Sequence, residues 1–107
     1  MILEKMNQPL FWTSHSRAKM RFYGLSESRV KKVIRSPERI EYGIAPDTIA
    51  LMQSVKTSKR PYEIWVMVED IKTDRKVVSA WRYPGITKTG EPLPDDILRE
   101  IKIGKKL

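Results

Sequence analysis

The chain has 107 residues, 40% hydrophobic and 32% charged, which is enough for one domain with a core and too short for two. It has no Cys and a single His, which excludes disulfides, thiolate metal sites and cysteine nucleophiles, and no glycine-rich phosphate-binding motif is present. The net charge of +8 favours a polyanionic partner.

The chain shows no sign of a targeting or membrane segment. The stretch 1–12 mixes charged, amide and proline residues with apolar ones, and no later run is long and apolar. Signal peptides and membrane spans need such runs. We therefore expect a cytoplasmic protein with no membrane partner. Because the chain has no Cys, one His and no phosphate-binding motif, we also expect neither a cofactor nor a bound metal.

Two helices are predicted in the N-terminal third. Thr13 or Ser14 can cap a first helix that ends at Gly24, and Ser26 can cap a second that ends near Arg35, ahead of a Ser-Pro pair.

Each helix has an apolar and a basic side. The predicted apolar side of the first helix holds His15, Ala18 and Phe22, and that of the second holds Val30, Val33 and Ile34.

From residue 39 onward the pattern alternates, which predicts strands at Thr48–Val55, 61–69 and 76–83, with a short edge strand at 39–44. Short connections imply antiparallel pairing. A short helix is expected from Asp95 or Asp96 to Gly104. The prediction is an α+β fold in which two N-terminal helices pack on a three- to four-stranded antiparallel sheet, as one domain over 1–107 with a core at 11–83 and an extension at 84–107.

The charge excess is concentrated in the two helices. Between Ser14 and Ser36 there is a single acid, Glu27, while a nucleic acid backbone requires a cluster of cations. The predicted nucleic-acid-binding cations are Arg17, Arg21, Arg29, Lys31, Lys32 and Arg35, with Lys19 in the same stretch. The alternative is that these cations form a solubilising helical face.

His15 is the only imidazole. It lies in the first turn of the first helix, where the helix terminus favours anions, and it is close in sequence to Arg17 and Arg21. This position fits a proton-transfer group beside bound phosphate, and the alternative is a structural histidine.

The end of the last predicted strand carries Arg82 between Trp81 and Tyr83. Such an arginine can bind phosphate in a bidentate manner, with the two aromatic rings available for stacking bases. The alternative is a core Trp81 and an ion pair of Arg82 with Glu63 or Glu69.

A third pattern, Pro46-Asp47 followed by Asp70-x-Lys72, has the spacing of metal-dependent nucleases. Those enzymes carry the second acid and the lysine within a core strand, whereas residues 70–72 here are predicted to form a hairpin loop. We therefore assign no metal site.

The opening of the chain resembles a group of small bacterial proteins that is similar to the BrnT and RelE/ParE toxins. The residues that carry the resemblance are Trp12-Thr13-x-His15, Lys19-Met20-Arg21, Gly24-Leu25-Ser26, Val30, Val33-Ile34, Pro37 and Ile40. The resemblance covers residues 11–83 and implies two helices on a small antiparallel sheet.

It also implies a metal-independent RNA endonuclease in which a ribose 2′-hydroxyl attacks the neighbouring phosphate. In that scheme His15 is the general acid or base, Lys19 stands where the group often has an arginine, and Arg82 holds the phosphate.

Three functions remain open from the sequence. One is a toxin-like ribonuclease, the second is a non-catalytic nucleic-acid-binding module, and the third is a basic domain that binds an acidic protein partner such as an antitoxin.

Overall fold

The computed structural model describes residues 8–42 and 47–88, together with Arg99. Two helices and five strands lie in this part of the chain. In order they are β1 (Leu10–Trp12), α1 (Ser14–Tyr23), α2 (Glu27–Arg35), β2 (Arg39–Tyr42), β3 (Thr48–Val55), β4 (Tyr62–Ile71) and β5 (Asp74–Pro84). The short helix predicted from Asp95 or Asp96 to Gly104 lies outside the described residues apart from Arg99.

The strands form one mixed sheet in the order β1-β5-β4-β3-β2. The pairs β2–β3, β3–β4 and β4–β5 are antiparallel, while β1 pairs parallel with β5. The α+β class is therefore confirmed, but the expected wholly antiparallel sheet of three or four strands was wrong. Because β1 has only three residues, it is too short to show an alternating pattern, and it precedes the helices instead of following them.

The predicted helix ends are confirmed. The Thr13 hydroxyl accepts the N–H of Ser16, and the Ser26 hydroxyl accepts the N–H of Arg29, each at 3.0 Å. Gly24 ends α1 with φ of 67°, a left-handed conformation in which glycine avoids the Cβ penalty.

The side of α1 that faces the protein differs from the prediction. Ser16 and Met20 are buried and Tyr23 is half-buried, whereas Ala18 and Phe22 are exposed. The start of α1 is fixed by Thr13, whose hydroxyl lies 3.0 Å from the carbonyl oxygen of Val77 in β5. This anchor sets the rotation of the helix against the sheet, so the helical wheel alone selected the wrong side.

Both faces of the sheet carry a buried core. The first core joins the helices to one face and contains Met20, Leu25, Val30, Val33, Ile34, Leu51, Ile64, Val66, Val68, Val77 and Ala80. The second core lies on the other face and contains Ala50, Met52, Trp65, Met67, Val78 and Trp81. Tyr23, at the end of α1, packs against both cores, which places it at the β5 side of the sheet.

None of the described helices is long and apolar enough to cross a membrane.

Candidate nucleic-acid interface

α2 carries four cations outside its buried side. Lys32 and Arg35 are exposed, and Arg29 and Lys31 are half-buried. Within the described residues none of the four makes an ion pair. Because Val30, Val33 and Ile34 all face the first core, these cations project along the outer half of the helix.

The end of α2 is held on the sheet by a buried side chain that the sequence did not reveal as important. The Gln53 amide of β3 donates to the carbonyl oxygens of Lys32 at 3.2 Å and Ser36 at 2.8 Å. The Lys32 carbonyl also accepts the Ser36 N–H at 3.1 Å, and Ser36 lies just past the end of the helix, where carbonyls lack intrahelical donors. Gln53 therefore brings the basic end of α2 over the end of β3.

The turn between β3 and β4 adds three cations to this end of the sheet. Lys56, Lys59 and Arg60 are all exposed and lie a few residues beyond Gln53. From the sequence, residues 56–60 were predicted only as a connection between strands. The signal that could have identified them is the run of three cations in five residues with no acid.

Arg82 lies at the same end of the sheet as the β3–β4 turn and on the same face as Gln53. Gln53 pairs with Ile64, and Ile64 pairs with Arg82, so the three side chains form one row across β3, β4 and β5. Strand spacing places Arg82 about 10 Å from Gln53. Its guanidinium carbon is 4.6 Å from the centre of the Tyr62 ring, and its Nε is buried without a hydrogen-bond partner.

Among the described residues Arg82 does not form the alternative ion pair with Glu63 or Glu69. Glu63 accepts from Trp65 and Thr87, and Glu69 pairs with Lys76 at 3.0 Å. The cation–π contact with Tyr62 holds the guanidinium of Arg82 without neutralising it. We call the surface formed by Lys32, Arg35, Lys56, Lys59, Arg60 and Arg82 the basic surface.

Arg17 is partly neutralised. Its Nη1 donates to Glu27 Oε2 at 2.8 Å, and its guanidinium carbon lies 5.3 Å from the centre of the Trp12 ring. The hydrogen bond from Arg17 lowers the pKa of the Glu27 carboxyl, and the nearby charge of Lys31 acts in the same direction. Arg21, by contrast, is exposed and makes no ion pair among the described residues.

His15 and Lys19 lie one turn apart on α1, and both are half-buried. His15 Nε2 is 3.4 Å from the hydroxyl oxygen of Ser79, a fully buried residue of β5, and Lys19 Nζ is 5.2 Å from the centre of the Tyr23 ring. The imidazole is thus held beside β5, the strand that carries Arg82. Ser79 pairs with Met67 of the second core and Arg82 pairs with Ile64 of the first, so the side chains of Ser79 and Arg82 leave opposite faces of the sheet.

The two aromatic residues beside Arg82 face the second core. Trp81 is 2% exposed, and its ring is stacked on Trp65 with centroids 6.0 Å apart. Tyr83 is half-buried against the same core. The Trp81 ring therefore has no solvent-facing surface on which a base could stack.

The acids of the nuclease-like pattern do meet, but they are not arranged to bind a metal. The N–H of Asp70 donates to the carbonyl oxygen of Asp47 at 3.0 Å, so the two residues are neighbours. Asp70 lies in β4, not in a loop, and its carboxylate is held by Arg75, whose Nε is 2.7 Å from Oδ1. Within residues 8–42 and 47–88 no group of three or more His, Asp or Glu side chains could hold a metal ion.

A buried carboxylate on the second face was not predicted. Glu63 is fully buried and accepts from Trp65 Nε1 at 3.0 Å and from the Thr87 N–H at 2.9 Å. The Thr87 hydroxyl lies 2.7 Å from Glu63 Oε2 and 2.7 Å from the Nη1 of Arg39, which also pairs with Glu41. The network joins β2, β4 and the segment after β5, so its role in this structure is to hold the sheet together.

Comparisons of the chain with family models, with curated proteins and with solved structures found no match. The function is therefore inferred from the fold and from the surface described above.

Proposed function

We propose that this protein binds single-stranded RNA through its phosphate backbone. The observation that carries the proposal is the basic surface, where exposed cations of α2 and of the β3–β4 turn share one end of the sheet with Arg82. Cations without acid partners are available to displace the counterions of a polyanion, and that release drives backbone binding.

The state of Arg82 supports the same function. The guanidinium of Arg82 is held over the Tyr62 ring and makes no ion pair among the described residues, so its terminal nitrogens can donate to a ligand. Phosphate oxygens match the geometry of these donors.

The test is a titration of a labelled single-stranded oligoribonucleotide at increasing salt. The logarithm of the affinity should fall linearly with the logarithm of salt, by about 0.7 for each phosphate contact. Absence of binding at low salt would refute the function. Competition by polyglutamate as effective as competition by RNA would instead favour an acidic protein partner.

A second candidate function is cleavage of the bound RNA, and the position of His15 favours it. His15 is in the first turn of α1, where the helix terminus attracts anions, and it is packed beside β5, the strand of Arg82. In such a reaction the ribose 2′-oxygen bonds to phosphorus and the bond to the 5′-oxygen of the next nucleotide breaks.

Each residue then has a stated role. His15 transfers one of the two protons that move, from the 2′-hydroxyl or to the leaving 5′-oxygen, while Lys19, one turn along the same helix, stabilises the charge that builds on phosphate. Arg82 holds the RNA backbone as part of the basic surface.

Cleavage is tested with a labelled RNA, wild-type protein and His15→Ala, each with and without EDTA. The variant should cleave about 100- to 10,000-fold more slowly with little change in RNA affinity, and EDTA should have no effect. Equal rates in the two proteins would exclude His15. Loss of activity with EDTA would point to a metal-dependent reaction instead.

A further inference from the structure

Phe22 is an aromatic side chain that the fold leaves in solvent. It is 79% exposed and lies in the last turn of α1, two residues before the left-handed Gly24. Its ring meets Tyr23 edge-to-face, with centroids 4.8 Å apart, and Tyr23 is in turn packed against both cores. Phe22 is therefore exposed but supported by a fixed neighbour.

The surroundings of Phe22 are cationic. Arg21 beside it is exposed and makes no ion pair among the described residues, and Lys19 lies one turn earlier. His15, Lys19 and Phe22 are spaced by four and three residues, which aligns them along one side of α1. Between His15 and Phe22 the helix carries the small exposed Ala18, so a ligand can approach closely there.

We infer that Phe22 is the platform on which an unpaired base of bound RNA stacks, an inference that rests on the RNA binding proposed above. An exposed aromatic ring among cations suits a nucleotide, because the ring takes the flat face of the base while the cations take its phosphate. The Phe22 ring takes over the stacking role predicted for Trp81, which is buried.

The geometry also specifies which nucleic acid binds. A base can stack on a side chain only if it is not already stacked and paired in a duplex, so Phe22 selects single strands over double strands. Along the helix axis Phe22 is about 10 Å from His15, so a strand that stacks on Phe22 has its backbone directed along the His15 and Lys19 side of α1.

The experiment compares Phe22→Ala, Phe22→Trp and the control Phe11→Ala. Phe11 is also an exposed phenylalanine, at 60%, but it lies on β1 opposite Lys76, which is already paired with Glu69. Affinity is measured by fluorescence anisotropy for a labelled single-stranded oligoribonucleotide and for the same strand annealed to its complement.

Phe22→Ala should lose about 5- to 150-fold in affinity for the single strand and should bind the duplex as wild type does. Phe22→Trp should keep the affinity for the single strand, and Phe11→Ala should match wild type on both. Because Phe22 is exposed, the thermal unfolding of the variants should stay close to wild type.

Wild-type affinity of Phe22→Ala for the single strand, while wild-type protein binds it, would overturn the inference and leave the proposed function intact. An equal loss on single strand and duplex would also overturn it, since stacking cannot act on a paired base. Failure of wild-type protein to bind either RNA would refute the proposed function itself.

Discussion

Removal of two charges from the basic surface gives the sharpest test of RNA binding. Lys32 and Arg35 are exposed, make no ion pair among the described residues and lie in the last turn of α2. The double variant Lys32→Gln with Arg35→Gln removes both charges and keeps long polar side chains. If each cation contacts one phosphate, the variant loses two contacts.

The size of the effect follows from counterion release. Each lost contact lowers the salt slope by about 0.7, so the slope should fall by about 1.4. Between about 50 and 200 mM salt, a fourfold change, the ratio of wild-type to variant affinity should therefore shrink about sevenfold. The variant should bind much more weakly at low salt and approach wild type at high salt.

The matched control is Lys72→Glu, which changes the net charge by the same two units. Lys72 is exposed in the turn between β4 and β5, at the opposite end of β4 from the cations of residues 56–60. The assay is fluorescence anisotropy with labelled single-stranded RNA at several salt concentrations. An unchanged slope in the double variant would show that Lys32 and Arg35 do not contact phosphate. An equal loss of affinity in Lys72→Glu would show that binding follows net charge and not the basic surface.

Three further predictions concern polar contacts within the fold. Gln53→Ala should lower the free energy of unfolding in urea by about 1–3 kcal/mol, because the Ser36 carbonyl loses the Gln53 donor and the Lys32 carbonyl keeps only the Ser36 N–H. An unchanged unfolding midpoint would contradict this. Glu63→Gln should also cost about 1–3 kcal/mol, because its amide group faces the donors Trp65 or Thr87, and wild-type stability in urea would show that the network is not needed. The Arg17–Glu27 pair should contribute fully to folding stability above pH 4.5, the ordinary carboxyl pKa, and this contribution should be lost as pH falls through the lowered pKa of Glu27. The difference in thermal midpoint between wild type and Glu27→Gln should therefore shrink in that range. A pH-independent difference would argue against the pair.

The local features of the fold could be predicted from the sequence because each depends on neighbouring residues. A capping hydroxyl acts on the N–H three residues later, so Thr13 and Ser26 marked the starts of both helices. Gly24 marked the end of α1 through its left-handed backbone, and the alternation of apolar residues predicted β3 with its observed bounds. Charge is likewise a property of the sequence, so the excess of cations in α2 follows from the order of its residues alone.

Only the tertiary structure decided which of these residues face solvent. Trp81 and Phe22 are both aromatic residues in predicted elements, yet Trp81 is buried against Trp65 and Phe22 is exposed. The parallel β1 strand, the hold of Gln53 on α2, and the contact of Glu63 with Thr87 each join segments more than ten residues apart. Such contacts depend on how the elements pack together. The helical pattern identified the buried side of α2 but not that of α1, where the contact of Thr13 with β5 fixes the start of the helix.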